Sequence, residues 1–105
     1  GLKVLDVSSF IAAPAAAVAL AEFGADVIKI EPPGEGDPHR NSYKNASYPQ
    51  SDQNFPWQLD GRLKRSLALD LKTDGARSVL ERLIKSADVM IVNFPPPARE
   101  RLRLR

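Results

Sequence analysis

The stretch Asp26-Val-Ile-Lys-Ile-Glu31-Pro-Pro-Gly-Glu-Gly-Asp37 decides the fold class of this chain. Its β-branched residues predict a strand, and the proline and glycine residues after Glu31 predict an abrupt end to that strand. Two later stretches have the same form, Lys64-Arg-Ser-Leu-Ala-Leu-Asp-Leu-Lys72 and Asp88-Val-Met-Ile-Val-Asn-Phe94. Since an open α/β sheet binds its ligands beyond the carboxyl ends of its strands, we expect a functional site where these stretches end.

The first part of the chain predicts a strand, a helix and a second strand in that order. Lys3–Val7 alternates between polar and apolar residues, as a half-buried strand does. The alanine-rich segment from Pro14 to Phe23 favours a helix, and Gly24 stands where a left-handed cap belongs. Because such a unit makes a right-handed crossover between parallel strands, the sequence predicts the α/β class.

A second unit of strand, helix and strand is predicted in the later half. Residues 66–71 alternate like a strand, and Thr73 is expected to cap the helix that follows. The apolar positions of that helix share one face: Ala76, Val79, Leu80, Leu83, Ile84 and Ala87. The apolar run Val89–Val92 predicts a strand buried on both faces, and Ala98 is expected to begin another helix. No closing element follows, so we expect a fragment of a longer protein.

Between the two units, residues 33–61 predict a long polar loop. The segment is rich in Asn, Gln, Ser, Pro and Asp and shows no sustained apolar period. Its aromatic residues are expected to tie it to the rest of the chain: Tyr43, Tyr48, Phe55 and Trp57. His39 lies in the part richest in glycine and proline, so we expect a solvated side chain.

Composition excludes several classes of site. The chain has no cysteine, so it offers neither disulfides nor thiolate metal ligands and fits a reducing cytoplasm. Its single histidine, His39, cannot form a metal site unaided, so no metal is expected. No stretch approaches the roughly 20 apolar residues of a membrane helix, and we therefore expect a soluble, cytoplasmic protein with no membrane partner.

The formal net charge is only +2, but the positive residues are clustered. One cluster is Arg62, Lys64 and Arg65, and the other is the arginine-rich run from Arg99 to Arg105. Such local density favours either a phosphate-bearing ligand or a solvated surface. A small nucleic-acid-binding protein is an alternative, but no recognised motif accompanies the charge, so no nucleic-acid partner is expected.

Structural roles are sufficient to explain the other candidate catalytic or ligand-binding side chains. Glu31 lies where a dinucleotide-binding fold keeps its ribose-binding acid, but the first turn, Ser8 to Pro14, lacks the glycines that approach a pyrophosphate. Ser8 and Ser9 lack the glycine elbow of a nucleophile, so we expect them to end the strand. Four aspartates are predicted to be edge, cap or turn residues: Asp6, Asp26, Asp70 and Asp88. No catalytic residue is predicted.

Four pieces of the chain, in order, resemble the class III coenzyme A transferases: Gly1–Asp6, Phe23–Gly34 with Gly36 and Asp37, Lys64–Lys72, and Ala87–Phe94. This group includes formyl-CoA transferase, carnitine CoA-transferase and alpha-methylacyl-CoA racemase. The resemblance implies a Rossmann-like, three-layer domain with a parallel sheet, of which residues 1–105 form the N-terminal segment. It also implies an interlocked homodimer and an aspartate nucleophile that lies beyond Arg105.

The resemblance further implies that the substrate coenzyme A lies along the carboxyl ends of the strands. Positions that match residues around its nucleotide end are Leu69, Lys72, Asn93, Phe94 and Arg101. Positions that match residues running toward the thioester are Phe10, Ile11 and Ala12. The side-chain chemistry is compatible, because Lys72 and Arg101 can bind phosphates and Phe94 can cover a base. For Leu69, a place in the core of a strand is an equally good explanation.

The expected activity is transfer of CoA from an acyl-CoA to a carboxylic acid. The alternatives are a racemase of the same family and a noncatalytic CoA-binding or interaction module. The chain departs from its relatives at Ile11, where formyl-CoA transferase has a glutamine, and at Ala13, where many relatives have a glycine. It also has Pro95-Pro-Pro97 where relatives commonly read Arg-Pro-Gly. These departures leave the acyl substrate open.

Overall fold

The computed structural model describes residues 1–104, in which strands and helices alternate. The strands are β1 (Lys3–Val7), β2 (Asp26–Glu31), β3 (Lys64–Ala68) and β4 (Val89–Val92). The helices are α1 (Ala12–Glu22), α2 (Phe55–Asp60), α3 (Asp74–Ser86) and α4 (Pro96–Leu102), with a 3₁₀ helix at Pro38–Lys44. No helix among these residues has the length and apolar character that a bilayer crossing requires.

The four strands form one parallel sheet in the order β3-β2-β1-β4. The predicted α/β class and the parallel pairing are therefore confirmed. Strand β2 lies beside β1, and β3 lies beside β2 on the side away from β1. The chain then returns across the sheet, so that β4 pairs with the other edge of β1. The connections that leave the carboxyl ends of β1 and β4 therefore run in opposite directions. This makes the space between the two strand ends a topological switch point, where sheets of this kind bind ligands.

Alternation along the strands gives the sheet two apolar faces and hence three layers. Leu5, Val7 and Ile30 pack on one face with Leu80 of α3 and with Leu104. On the opposite face, Val4 and Val27 pack against Ala17 of α1. The three-layer arrangement expected from the sequence is therefore present, with α1 and α3 as the outer layers.

Helix α3 begins directly after the residue that the sequence predicts as its N-cap. The Thr73 hydroxyl accepts a hydrogen bond from the Ala76 amide over 3.3 Å, which is the predicted N-cap. Asp74 in the first turn and Lys85 in the last complement the helix dipole. Helix α1 begins at Ala12, two residues before the predicted start at Pro14.

Residues 33–61 contain more regular structure than the predicted polar loop. The Asp37 carboxylate accepts a hydrogen bond from the His39 amide over 2.9 Å and caps the 3₁₀ helix, while Asn54 caps α2 by accepting from the Trp57 amide. The prediction that His39 is solvated is wrong, since only 1% of this residue is exposed. Each short helix is thus started by one capping side chain followed closely by a proline.

Strand β4 lies at the edge of the sheet, where it pairs only with β1 among the described strands. Val89 is 37% exposed, and the other three residues of the strand are half-buried. The prediction that this strand is buried on both faces is therefore wrong for residues 1–104. Met90 and Val92 pack against the core on the α3 side and Ile91 against the core on the α1 side, but no strand among residues 1–104 pairs with the outer edge of β4.

Candidate functional site

The carboxyl edge of the sheet carries an apolar cleft of about 210 Å³. It lies between the strand ends, the start of the segment that leads into α3, and α4. Its lining includes Val7, Ile30, Leu69, Leu71, Lys72, Phe94 and Leu102. A flat apolar group of a ligand would find both an aromatic ring and aliphatic side chains in this cleft.

A second cleft, of about 190 Å³, adjoins the first and is strongly basic. The two clefts share Leu71, Lys72 and Leu102 in their linings. Four cationic side chains and one acid line the second cleft: Lys72, Arg77, Arg101, Arg103 and Asp74. Lys72 therefore stands where an apolar ligand-sized space opens onto a space suited to anionic groups.

Arg77 connects the two helices that border the basic cleft. Its Nη1 donates to the carbonyl of Leu102 over 2.7 Å, and its Nη2 donates to that of Arg103 over 3.3 Å. The left-handed backbone at Arg103, with a φ of 57°, brings these carbonyls toward α3. Among the described residues the buried Nε of Arg77 has no hydrogen-bond partner. Arg77 thus shapes the cleft through the backbone that ends α4.

Four of the residues expected to bind the nucleotide end of CoA come together in the structure. Leu69, Lys72 and Phe94 line the apolar cleft, and Arg101 lines the basic cleft with Lys72. Asn93 lines neither cleft. Its side-chain amide is occupied by the backbone of Ser9, to which its Nδ2 donates over 2.8 Å and from which its Oδ1 accepts over 3.0 Å.

The β1–α1 loop, residues 8–11, holds two of the residues expected to lie near the thioester. Phe10 and Ile11 are about half exposed, at 48% and 50%, and Ala12 begins α1. Phe10 has a φ of 66°, in the left-handed region that residues with a side chain seldom adopt. These residues form a group apart from the clefts, and Asn93 and Phe94, adjacent in sequence, connect the two groups.

A buried ionic network lies on the α1 side of the sheet. Lys64 Nζ is 2.7 Å from Asp6 Oδ2, and Lys29 Nζ is 2.9 Å from Asp37 Oδ2. Lys29 is also 3.7 Å from Asp6, and all four side chains are 2% exposed or less. Burial lowers the pKa of Lys64, although the hydrogen bond and charge of Asp6 oppose this effect. The network therefore joins β1, β2, β3 and the turn before the 3₁₀ helix.

The basic cluster Arg62, Lys64 and Arg65 is engaged within the chain. Lys64 donates to the carbonyls of Pro14 and Asp60 in addition to Asp6, over 2.9 and 2.8 Å. Arg65 pairs with Asp26, and Arg62 pairs with Glu22. Lys64 is therefore committed to the interior, whereas Arg62 and Arg65 form exposed pairs of the kind expected on a solvated surface.

Glu31, at the end of β2, is enclosed by donors on the same side of the sheet. It accepts two hydrogen bonds from Arg40, over 2.7 and 2.8 Å, one from the Asp37 amide over 2.9 Å and one from the Ser66 hydroxyl over 2.6 Å. Burial raises the pKa of Glu31, but these bonds and the Arg40 charge outweigh burial and lower it to about 2. Glu31 is therefore an internal anchor, which agrees with the sequence argument against a ribose-binding role.

His39 joins the 3₁₀ helix to α2. Its Nε2 is 2.8 Å from Asp60 Oδ2, and its Nδ1 is 2.8 Å from Ser42 Oγ. The imidazole also packs edge-on against the Phe10 ring, with 6.2 Å between ring centroids. The segment that the sequence predicts to be a loop is thereby fastened over the ionic network and beside the β1–α1 loop.

Comparison with known proteins identifies the fold family. The family described as CoA-transferase family III matches residues 1–105. This chain belongs to CoA-transferase family III. It is 42% identical over 98 residues to formyl-CoA:oxalate CoA-transferase from Escherichia coli, a match that covers 93% of this chain and 23% of that protein. It is 35% identical over 99 residues to succinyl-CoA–D-citramalate CoA-transferase from Chloroflexus aurantiacus, covering 94% and 24% respectively.

Solved structures carry the same fold as this family III chain. A CAIB/BAIF family protein from Brucella suis superposes with a TM-score of 0.85 at 33% identity, over 100% of this chain and 28% of that one. A hypothetical protein from Mycobacterium tuberculosis gives a TM-score of 0.82 at 34% identity, over 100% and 27%. The chain spans about a quarter of the length of the curated relatives it matches. The family resemblance predicted from the sequence is confirmed.

Sequence reasoning missed the ionic network of this family III chain. Asp6, Lys29 and Lys64 each interrupt or begin an apolar strand, and Asp6 and Lys29 are register partners on β1 and β2. Asp6 and Lys29 are oppositely charged and each occupies a position of its strand that faces the interior. That combination is the signal that could have revealed their ion pair. Asp37 gave no such signal, because its position depends on the turn after β2.

Proposed function

We propose that this chain is the CoA-binding, N-terminal segment of an acyl-CoA:carboxylate CoA-transferase. The observation that carries the proposal is the continuity of an apolar and a basic cleft through Lys72, at the carboxyl edge of the sheet in a family III chain. Coenzyme A combines a flat base with several phosphates, and this pair of clefts suits both kinds of group.

Each cleft residue has a role in this proposal. Phe94 and Leu69 contact the adenine, while Lys72 and Arg101 bind phosphate oxygens by charge-assisted hydrogen bonds. Phe10, Ile11 and Ala12 lie toward the thioester end of the substrate. Asn93, which the sequence analysis placed among the cofactor-binding residues, contributes through the backbone of Ser9.

The reacting side chain comes from the longer protein. An aspartate carboxylate attacks the thioester carbonyl, so that an anhydride forms and the CoA thiolate leaves. The acceptor carboxylate then attacks the aspartyl carbonyl of this anhydride, which releases the first carboxylic acid and forms a second anhydride. The CoA thiolate attacks the acceptor's acyl carbonyl in that second anhydride, so that the new thioester forms and the aspartate carboxylate is regenerated. Residues 1–105 position CoA but supply no nucleophile, so we expect this segment alone to transfer no acyl group. A cytoplasmic, interlocked homodimer without metal belongs to the same proposal.

The transferase is favoured over the racemase by the relatives reported above, since both are named as CoA-transferases. A racemase would exchange the proton α to the thioester and needs an acid and a base for that purpose. Incubation of an α-methylacyl-CoA in deuterated water, with no acceptor acid present, separates the two activities. Transferase activity alone leaves the α proton in place.

Binding of CoA to the full-length protein tests the proposed site. Lys72→Ala and Arg101→Ala should each raise the calorimetric Kd about ten- to a hundredfold, because each removes a charge-assisted contact. Lys85→Ala is the matched control, since it removes an exposed cation of α3 that lines neither cleft. An unchanged Kd in both cleft variants would refute this placement of CoA.

A further inference from the structure

We infer that Lys29, Asp37 and Asn93 are positioning residues that hold the β1–α1 loop, so that Phe10 and Ile11 are presented to the acyl thioester. The inference rests on the proposed function and extends it to residues that line neither cleft. Lys29 and Asp37 are buried and are not expected to contact CoA, and Asn93 has its side-chain amide occupied by the backbone of Ser9. Each of the three side chains makes at least one hydrogen bond to the backbone of the same short loop.

Three consecutive residues of the loop are each held by a different element. Lys29 of β2 donates from Nζ to the Ser8 carbonyl over 3.0 Å. Asn93, after β4, binds the N–H and the carbonyl of Ser9. Asp37 accepts a hydrogen bond from the Phe10 amide at its Oδ1 over 3.2 Å. The loop backbone is therefore fixed residue by residue.

The backbone at Phe10 explains why such fixing is needed. A left-handed φ of 66° is unfavourable for a residue with a side chain, and it persists only where the surroundings determine it. Glycine would adopt this conformation without strain, but it would present no side chain. The chain keeps a phenylalanine here, and about half of that residue is exposed.

The Lys29–Asp37 pair is itself held in place. The two side chains are 2.9 Å apart and each is 1% exposed, so solvent does not compete for them. The Asp37 amide donates to Glu31, and its Oδ1 also accepts from the His39 amide, which fixes the direction of the carboxylate. An apolar pair of similar size often gives equal stability, so stability alone gives little reason for this ion pair.

The test compares the two buried lysines of the ionic network in the full-length protein. Lys29→Met removes the cation that binds the loop, whereas Lys64→Met removes an equally buried cation that binds Asp6, Pro14 and Asp60 instead. We expect Lys29→Met to lower kcat for CoA transfer at least tenfold and to change the Kd for free CoA less than twofold. Lys64→Met should lower the melting temperature but keep kcat within about twofold of the unmodified protein.

Three further variants keep the test decisive if Lys29→Met does not fold. Asn93→Ala removes an exposed anchor without leaving a buried charge, and it should lower kcat while the Kd for CoA stays unchanged. Asp37→Ala should act like Lys29→Met, and Asp37→Asn should recover part of kcat because an amide oxygen can still accept from the Phe10 N–H.

The possible outcomes separate this inference from the function on which it rests. Equal losses of kcat in Lys29→Met and Lys64→Met would overturn the inference, because a general loss of packing would then explain both. A weaker CoA affinity in Asn93→Ala, like that of Lys72→Ala, would also overturn it and would make Asn93 a ligand contact. If the unmodified protein neither binds CoA nor transfers it, the proposed function fails and the inference fails with it.

Discussion

Asn93 binds the backbone of Ser9 with both ends of its amide, over 3.0 and 2.8 Å, although 84 residues separate the two in sequence. This contact spans the switch point between β1 and β4. Since Phe94 follows directly and lines the apolar cleft, the cleft and the β1–α1 loop share one rigid attachment.

Glu31→Gln should change how stability depends on pH. The pKa of Glu31 is lowered from 4.5 to about 2, so its carboxylate stabilises the fold fully above pH 4.5 and loses that effect as the pH falls toward 2. We expect the variant to be less stable by about 3 kcal/mol at neutral pH and to show a flatter decline below pH 4.5. Urea unfolding between pH 2 and 7 measures both effects. Glu35→Gln, at an exposed position of the same turn, is the control, and equal pH profiles for the two variants would contradict the prediction.

Leu80→Ala should leave a cavity beneath α3. The residue is fully buried and packs with Leu5, Val7 and Ile30 on that face of the sheet. A loss of about 2 to 5 kcal/mol is expected from the removed apolar atoms and the cavity that remains. Ser78→Ala on the exposed side of the same helix should change the unfolding free energy by less than about 0.5 kcal/mol. A small effect at Leu80 would show that α3 does not pack on the sheet in this way.

Leu63→Gly should stabilise the protein even though it removes an apolar side chain. Leu63 is 62% exposed and has a φ of 64°, so its side chain gains little from burial while its backbone is strained. A gain of about 0.5 to 1 kcal/mol is expected once the strain is removed. Leu63→Ala removes the same apolar contacts but keeps the strain, so thermal unfolding of the two variants isolates the backbone effect. No difference between them would refute the prediction.

Residues 1–105 expressed alone should associate or unfold at low denaturant concentration. The half-buried strand β4 offers an unpaired edge, and Phe23 is 93% exposed on the opposite side of the sheet from α3. Sedimentation velocity and urea unfolding measure the two behaviours. A monodisperse monomer with a stability of about 5 kcal/mol or more would be an ordinary independent domain and would exclude this expectation.

The sheet and its two main helices could be predicted from the sequence because their signals are local and periodic. The alternation in Lys3–Val7, the alanine content of α1 and the apolar stripe of α3 each specify one element within a few residues of its bounds. The order of these elements then fixes parallel pairing, since crossovers of this kind are right-handed. The cleft residues Leu69 and Phe94 are expected from the family resemblance. Leu69 lies inside the predicted strand 66–71 but follows directly on the observed strand β3, and Phe94 comes two residues after β4.

The short helices and the ionic network could not be predicted in the same way. A 3₁₀ helix that depends on one capping carboxylate, Asp37, shows no period that distinguishes it from a turn. The pairs Lys29–Asp37 and Lys64–Asp6 join residues whose nearness depends on strand register and on the path of the chain after β2. Burial of β4 also could not be judged, because it depends on what lies beside the strand.

The division of residues 28–31 of β2 between an apolar and a charged side also affects how the chain folds. Ile28 and Ile30 face α3, while Lys29 and Glu31 face the ionic network. If β2 paired one residue out of register, the ammonium and carboxylate groups would enter the layer around Leu80 without partners, and both isoleucines would leave it. Mispaired arrangements of the sheet are therefore strongly disfavoured during folding, and the side chains that anchor the loop also select the correct alignment of the central strands.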